Sequence, residues 1–187
     1  MSDPAAEVSA LDWSITAMHD AAERLARMRA SARPRAFAVI SEAVWWVTIV
    51  DGTLVRYHPQ TYDAVMAGQT PAERPLIEGT LAGLRFVRNR MGRDVDHVDF
   101  IHPEASRPGH RDGRITAWTW KSVPEPALAS LPPRGKAWEM SRYRAYEAQL
   151  AGHPIGESFG RAALFLITAS RAASVTDVSA PAQRPGT

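Results

Sequence analysis

The stretch Val44-Trp45-Trp46-Val47-Thr48-Ile49-Val50-Asp51-Gly52-Thr53-Leu54-Val55 decides the fold, because it supports two readings. Taken with the residues before it, Phe37, Ile40, Val44, Val47, Val50 and Leu54 recur at helical steps, and Pro34 is acceptable in a first turn. The rival is a hairpin: a β-branched run, an Asp51-Gly52 turn and a short return strand. The helix is preferred, since burial routinely overrides the weak helix propensity of valine and isoleucine.

Working outward from a helical centre gives a mainly α protein, a four- to five-helix bundle with an irregular insertion. On the N-terminal side, Ser9 and Asp12 form a capping-box pattern. Leu11, Ile15, Met18, Ala22, Leu25 and Met28 then make one apolar stripe, which Arg33-Pro34 should stop. Residues 56 to 70 read as a loop whose one candidate element is a short helix over Thr61 to Met66.

Thr70-Pro71-Ala72-Glu73 starts the next helix, with Pro75 able to shift its start by a turn. Ile77, Leu81, Leu84, Val87 and Met91 form its stripe, and Gly92 is its stop. Gly79 and Gly83 leave room for a neighbouring helix to come close. Residues 94 to 134 are rich in proline and glycine, so the expectation there is a β-hairpin insertion built from Val98 to Ile101 and Ile115 to Trp120. A helix carrying Trp138, Tyr143, Tyr146 and Leu150 ends at Gly152-His153-Pro154, and a last one covers Ser158 to Ala172. The domain therefore spans 9 to 173, with disorder expected over 1 to 8 and 174 to 187.

Composition narrows function by exclusion. The chain has 187 residues, 45% hydrophobic and 22% charged, as one globular domain would. It has no cysteine, which removes thiolate metal sites and cysteine nucleophiles. No window approaches the roughly 18 to 20 apolar residues that a membrane span needs, and Met1 to Ala10 lacks a signal-peptide pattern, so a cytoplasmic protein without membrane contact is expected. Phosphate-loop, nucleophile-elbow and His-Glu-x-x-His motifs are missing, and no cofactor is expected. Asp94, Asp96, His97, Asp99 and His102 mix oxygen and imidazole donors, but their spacing fits no ligand template and no metal is assigned.

The net charge of +2 is small, yet the basic residues cluster. Arg85, Arg88, Arg90 and Arg93 fall in an acid-free stretch, and Arg134, Lys136, Arg142 and Arg144 form a second group diluted only by Glu139. A solvated helix face is the plain reading of such runs. Arginines in a last turn also face the negative end of the helix dipole, and Asn89 can help close that end. Arg88, however, sits only about 40° from Leu84 on the helical wheel, where a guanidinium needs an anionic partner. Glu42 and Asp51 are its candidate carboxylates.

The segment Leu84-Arg85-Phe86-Val87-Arg88-Asn89-Arg90-Met91-Gly92-Arg93 resembles the Arg-Asn-x-x-x-His helix end of the HEPN superfamily, and Ser41 to Trp46 looks like the second helix of some members. That resemblance implies a helical bundle, usually a homodimer, in which arginine, a polar residue and histidine act as a metal-independent ribonuclease. Arg88 and Asn89 match the motif, but Arg93 stands where the histidine belongs. Arginine stays protonated and cannot take a 2′-hydroxyl proton, whereas it can hold phosphate through its planar donor fork. Arg88, Asn89, Arg90 and Arg93 are therefore expected to bind an anion, with RNA or a protein as partner. An active ribonuclease using His97 with Arg88 and Arg90, and an unrelated homodimeric interaction protein, remain the alternatives.

Overall fold

The computed structural model describes residues 4–28, 33–91, 100–104, 117–125 and 136–179. Among these residues six helices and one two-stranded sheet follow in the order α1 (Pro4–Ala26), α2 (Arg33–Tyr57), α3 (Pro59–Ala67), α4 (Glu73–Met91), β1 (Ile101–Glu104), β2 (Ala117–Trp120), α5 (Lys136–Gln149) and α6 (Ile155–Ser179). The protein is mainly α, as its periodicity implies, with a small antiparallel hairpin laid on the bundle.

The deciding stretch is helical. Ile40, Ala43, Val44, Val47, Val50 and Leu54 are all buried, and α2 packs against α1, α4 and α6. A hairpin would send alternate residues to opposite faces, whereas these positions share one stripe at helical spacing. By length and composition Pro34–Tyr57 is also apolar enough to cross a membrane, which corrects the expectation that no segment comes near that limit. Packing on three sides accounts for the same apolarity in a core helix.

Element ends differ where local signals compete with longer-range packing. α1 already begins at Pro4, so Ser9 lies inside it rather than at its start, and α1 stops at Ala26, well before Arg33-Pro34. The short helix after α2 is present as α3 and starts on Pro59, whose missing N–H costs nothing in a first turn. Thr70 does cap α4: its hydroxyl accepts from the Glu73 amide at 3.2 Å and donates to the Glu73 carboxylate at 2.7 Å. α6 runs to Ser179, past residue 174 where order was expected to end. β1 is Ile101–Glu104 rather than a strand beginning at Val98, a residue outside those described.

α4 and α5 come together tightly at Gly83. A Cβ added at Gly83 would stand 2.8 Å from Leu150 Cδ1 and 3.1 Å from the Tyr146 Cα, so only glycine permits this approach. An aromatic cluster extends from that seam, with Phe86 against Phe100, Tyr143 and Tyr146, and Trp120 against Tyr146 and Phe159. Trp118 and Trp120 both face the core from β2, and Trp120 Nε1 donates to Ser158 Oγ at 3.2 Å. Gly152, with φ of 77°, makes the left-handed turn after α5 and donates its amide to the Trp120 carbonyl at 2.8 Å. These contacts fix α4 and α5 as one unit beside α2.

Candidate functional site

Arg85, Arg88 and Asn89 occupy the arc of α4 left half-covered between α2 and α5. Arg85 reaches the carboxylate of Asp51 on α2 with two nitrogens, Nε at 2.5 Å and Nη2. Asp51 is 1% exposed and takes a third hydrogen bond from the Tyr62 hydroxyl at 2.9 Å. This buried acid is thus fully engaged, and it pins α3 to α2 and α4. Burial, then the Asp51 charge, pushes the Tyr62 phenol well above its ordinary value, so it stays a neutral donor. The Arg85 side chain remains 31% exposed.

Neither carboxylate expected for Arg88 meets it. Asp51 belongs to Arg85, and Glu42 pairs with Arg24 of α1 at 2.6 Å. Residues 42 and 51 lie about 180° apart on one helix, so they face different neighbours. Arg88 instead lies over the Trp45 ring, 4.7 Å from its centroid. A second pair of the same kind stands on α5, where the Arg142 guanidinium lies 3.2 Å over the Trp138 ring.

The two pairs share one electrostatic field. Burial lowers the Arg142 guanidinium, Arg85 lowers it further and Arg88 adds to this, while Glu139 and Asp51 oppose; the balance falls at about 10. Arg142 thus remains a cation at neutral pH, crowded by two others. Among the described residues neither Arg88 nor Arg142 has an ion-pair partner, and Trp45 and Trp138 are 50% and 57% exposed.

The other expected residues lie elsewhere. Asn89 donates to Glu139 at 3.3 Å and so ties α4 to α5. Arg90 is 3% exposed, buried on the α5 side of α4 and away from the accessible arc. Arg93 and His97, with Asp94, Asp96 and Asp99, lie outside the described residues. His102 is exposed on β1, and among the described residues no group of acids and histidines could hold a metal. The sequence alone marks Trp45 and Trp138 among five tryptophans, with Trp46, Trp118 and Trp120, that could stack bases or anchor a core, and it places Arg85 and Arg142 in separate basic groups, but it does not join the four. The signal for Arg85 was present, because it stands about 40° from Leu81 just as Arg88 does from Leu84.

Next to Arg85 a recess of about 660 Å³ opens between α2, α3 and α4. Val55, Met66 and Leu81 give it an apolar wall, with Tyr62, Asp63, Arg74, Glu78 and Arg85 as its polar groups. Arg74 is closed on Glu78 at 2.9 Å as Arg85 is on Asp51, so both cations of the recess are paired. No protein-family model matches the chain, and comparison with curated proteins and with solved structures finds no match.

Proposed function

We propose that this protein binds a nucleic acid through the face formed by Arg85, Arg88 and Arg142, and that it does not cut it. The observation that carries the reading is that Arg88 and Arg142 each lie over an exposed indole without an ion-pair partner among the described residues, while Glu139 and Asp51 offset only part of the charge around Arg142. Like charges held together on a folded surface are relieved by an anion, and a phosphodiester chain supplies several at fixed spacing. The likeness of Arg88-Asn89 to a HEPN helix end favours the same ligand, as a degenerate member of that family would. Cleavage needs a base with a pKa near neutrality. The recess beside Arg85 has no histidine in its lining, and Asn89 is spent on Glu139.

The test is binding of labelled RNA at a series of salt concentrations. Affinity should fall steeply with salt, the RNA should remain intact in EDTA, and Arg88→Ala with Arg142→Ala should flatten the salt slope by about two. Binding that is insensitive to both substitutions would refute the reading, and cleavage abolished by His97→Ala would replace it with the ribonuclease.

A second reading, a homodimeric interaction protein, draws on Trp13 of α1 and Leu164 of α6, large side chains exposed on two helices that pack together. Sedimentation equilibrium decides it: a dimer that Leu164→Glu dissociates would favour this reading.

A further inference from the structure

We infer that the ligand of this face is single-stranded, with one base stacked on each of two arginine–indole layers, Arg88 on Trp45 and Arg142 on Trp138. The inference rests on the nucleic-acid reading above and names the form of its ligand.

An exposed tryptophan alone means little, since Trp13 is also exposed. Among the described residues, however, guanidiniums lie over tryptophan rings only at Trp45 and Trp138, and the bond from Asn89, next to Arg88 in α4, to Glu139, next to Trp138 in α5, brings the two pairs to one seam. A guanidinium on an indole offers two things at once. Its plane, or the open edge and far face of the ring, accepts a base by stacking. Its N–H groups, which a stacked geometry leaves in the plane, reach the adjoining phosphate. A point charge such as lysine would supply the second function without the first.

Base faces decide which nucleic acid benefits. In a duplex they are hidden in the helix stack, and only phosphates and groove edges reach a protein surface. In an unpaired strand each base has a π face free, and such stacking is tolerant of sequence. The two layers stand on α2 and α5, with α4 between them carrying Arg85 and Arg88. A strand crossing α4 would therefore meet an aromatic on each side and the Arg88 guanidinium between them, with Arg85 already paired to Asp51. About half of each indole is in water, so stacking removes apolar surface that the folded chain leaves wet.

The experiment uses the full chain, with a fluorescein-labelled, mixed-sequence RNA of about 12 nucleotides, its perfect duplex, and heparin as a polyanion without bases. Single-stranded RNA should bind at least about tenfold tighter than the duplex and should quench tryptophan fluorescence, which heparin should not. Trp45→Leu and Trp138→Leu, with all arginines kept, should each weaken single-strand binding on the order of tenfold without changing its salt slope. Circular dichroism checks that each variant is folded, and the wild-type comparison of strand, duplex and heparin stands even if a variant is not. Equal affinity for strand and duplex, or unchanged binding in both tryptophan variants, overturns the stacking and leaves salt-dependent phosphate binding in place. Absence of binding to all three probes removes both.

Discussion

Arg85 closes on the buried carboxylate of Asp51 with two nitrogens while the Tyr62 hydroxyl occupies the same acid from α3. Removing the acid leaves two donors without their acceptor. Asp51→Ala should cost about 3 kcal/mol, the low end for a broken buried pair because Arg85 is partly solvated. Urea unfolding measures it. Glu42→Ala, which breaks the exposed pair with Arg24, should change stability by less than about 1 kcal/mol in the same assay.

Two glycines should respond with opposite sign. Gly83→Ala forces a methyl against Leu150 and the Tyr146 backbone, so it should destabilise by about 1–3 kcal/mol. Gly52→Ala lies inside α2 with nothing within 4 Å of the added methyl, and it should stabilise by about 0.5–1 kcal/mol. Thermal unfolding of the two variants beside wild type checks both.

Alkaline pH should weaken the fold through its buried tyrosines. Burial, with Glu147 nearby, raises the Tyr146 phenol far above its ordinary value, and Tyr62 is raised by burial and Asp51. Each holds its proton more tightly when folded than when unfolded. The stability they contribute is therefore complete below pH of about 10, the unfolded value, and declines as pH rises beyond it. Tyr146→Phe should make the decline of Tm above pH of about 10 shallower, at the expense of the bond its hydroxyl gives to the Lys121 carbonyl.

Glu139 sits close enough to Arg142 to hold its charge up and accepts from Asn89. Glu139→Gln keeps an acceptor for Asn89 and deletes the opposing charge. RNA affinity should rise by a few-fold at low salt, with the gain fading as screening increases. Anisotropy titrations at two ionic strengths measure it.

The architecture could be read from the chain because apolar spacing and burial agree along α2, α4, α5 and α6. The hairpin alternative for residues 44 to 55 could not be dismissed locally, since it fails only once α1, α4 and α6 surround that segment. Helix ends were the least legible part: α1 and α6 extend through alanine- and serine-rich ends where no stop signal operates. At the site, the arginine-rich end of α4 was visible, but its partners were not. Which guanidinium meets Asp51 depends on how α2 is rotated against α4, and no periodicity within one helix records that rotation. Trp138 and Arg142 were legible only as aromatic and basic residues of α5, because their link to α4 comes from helix packing across the poorly patterned insertion.

The bare backbone of Gly83 lying on Tyr146 and Leu150 has a mechanical consequence. Packed this tightly and locked further by the Phe86, Tyr143 and Tyr146 rings, α4 and α5 should shift together rather than slide past each other. A ligand then meets charges already set in position, so its grip should depend little on temperature-driven rearrangement of the protein.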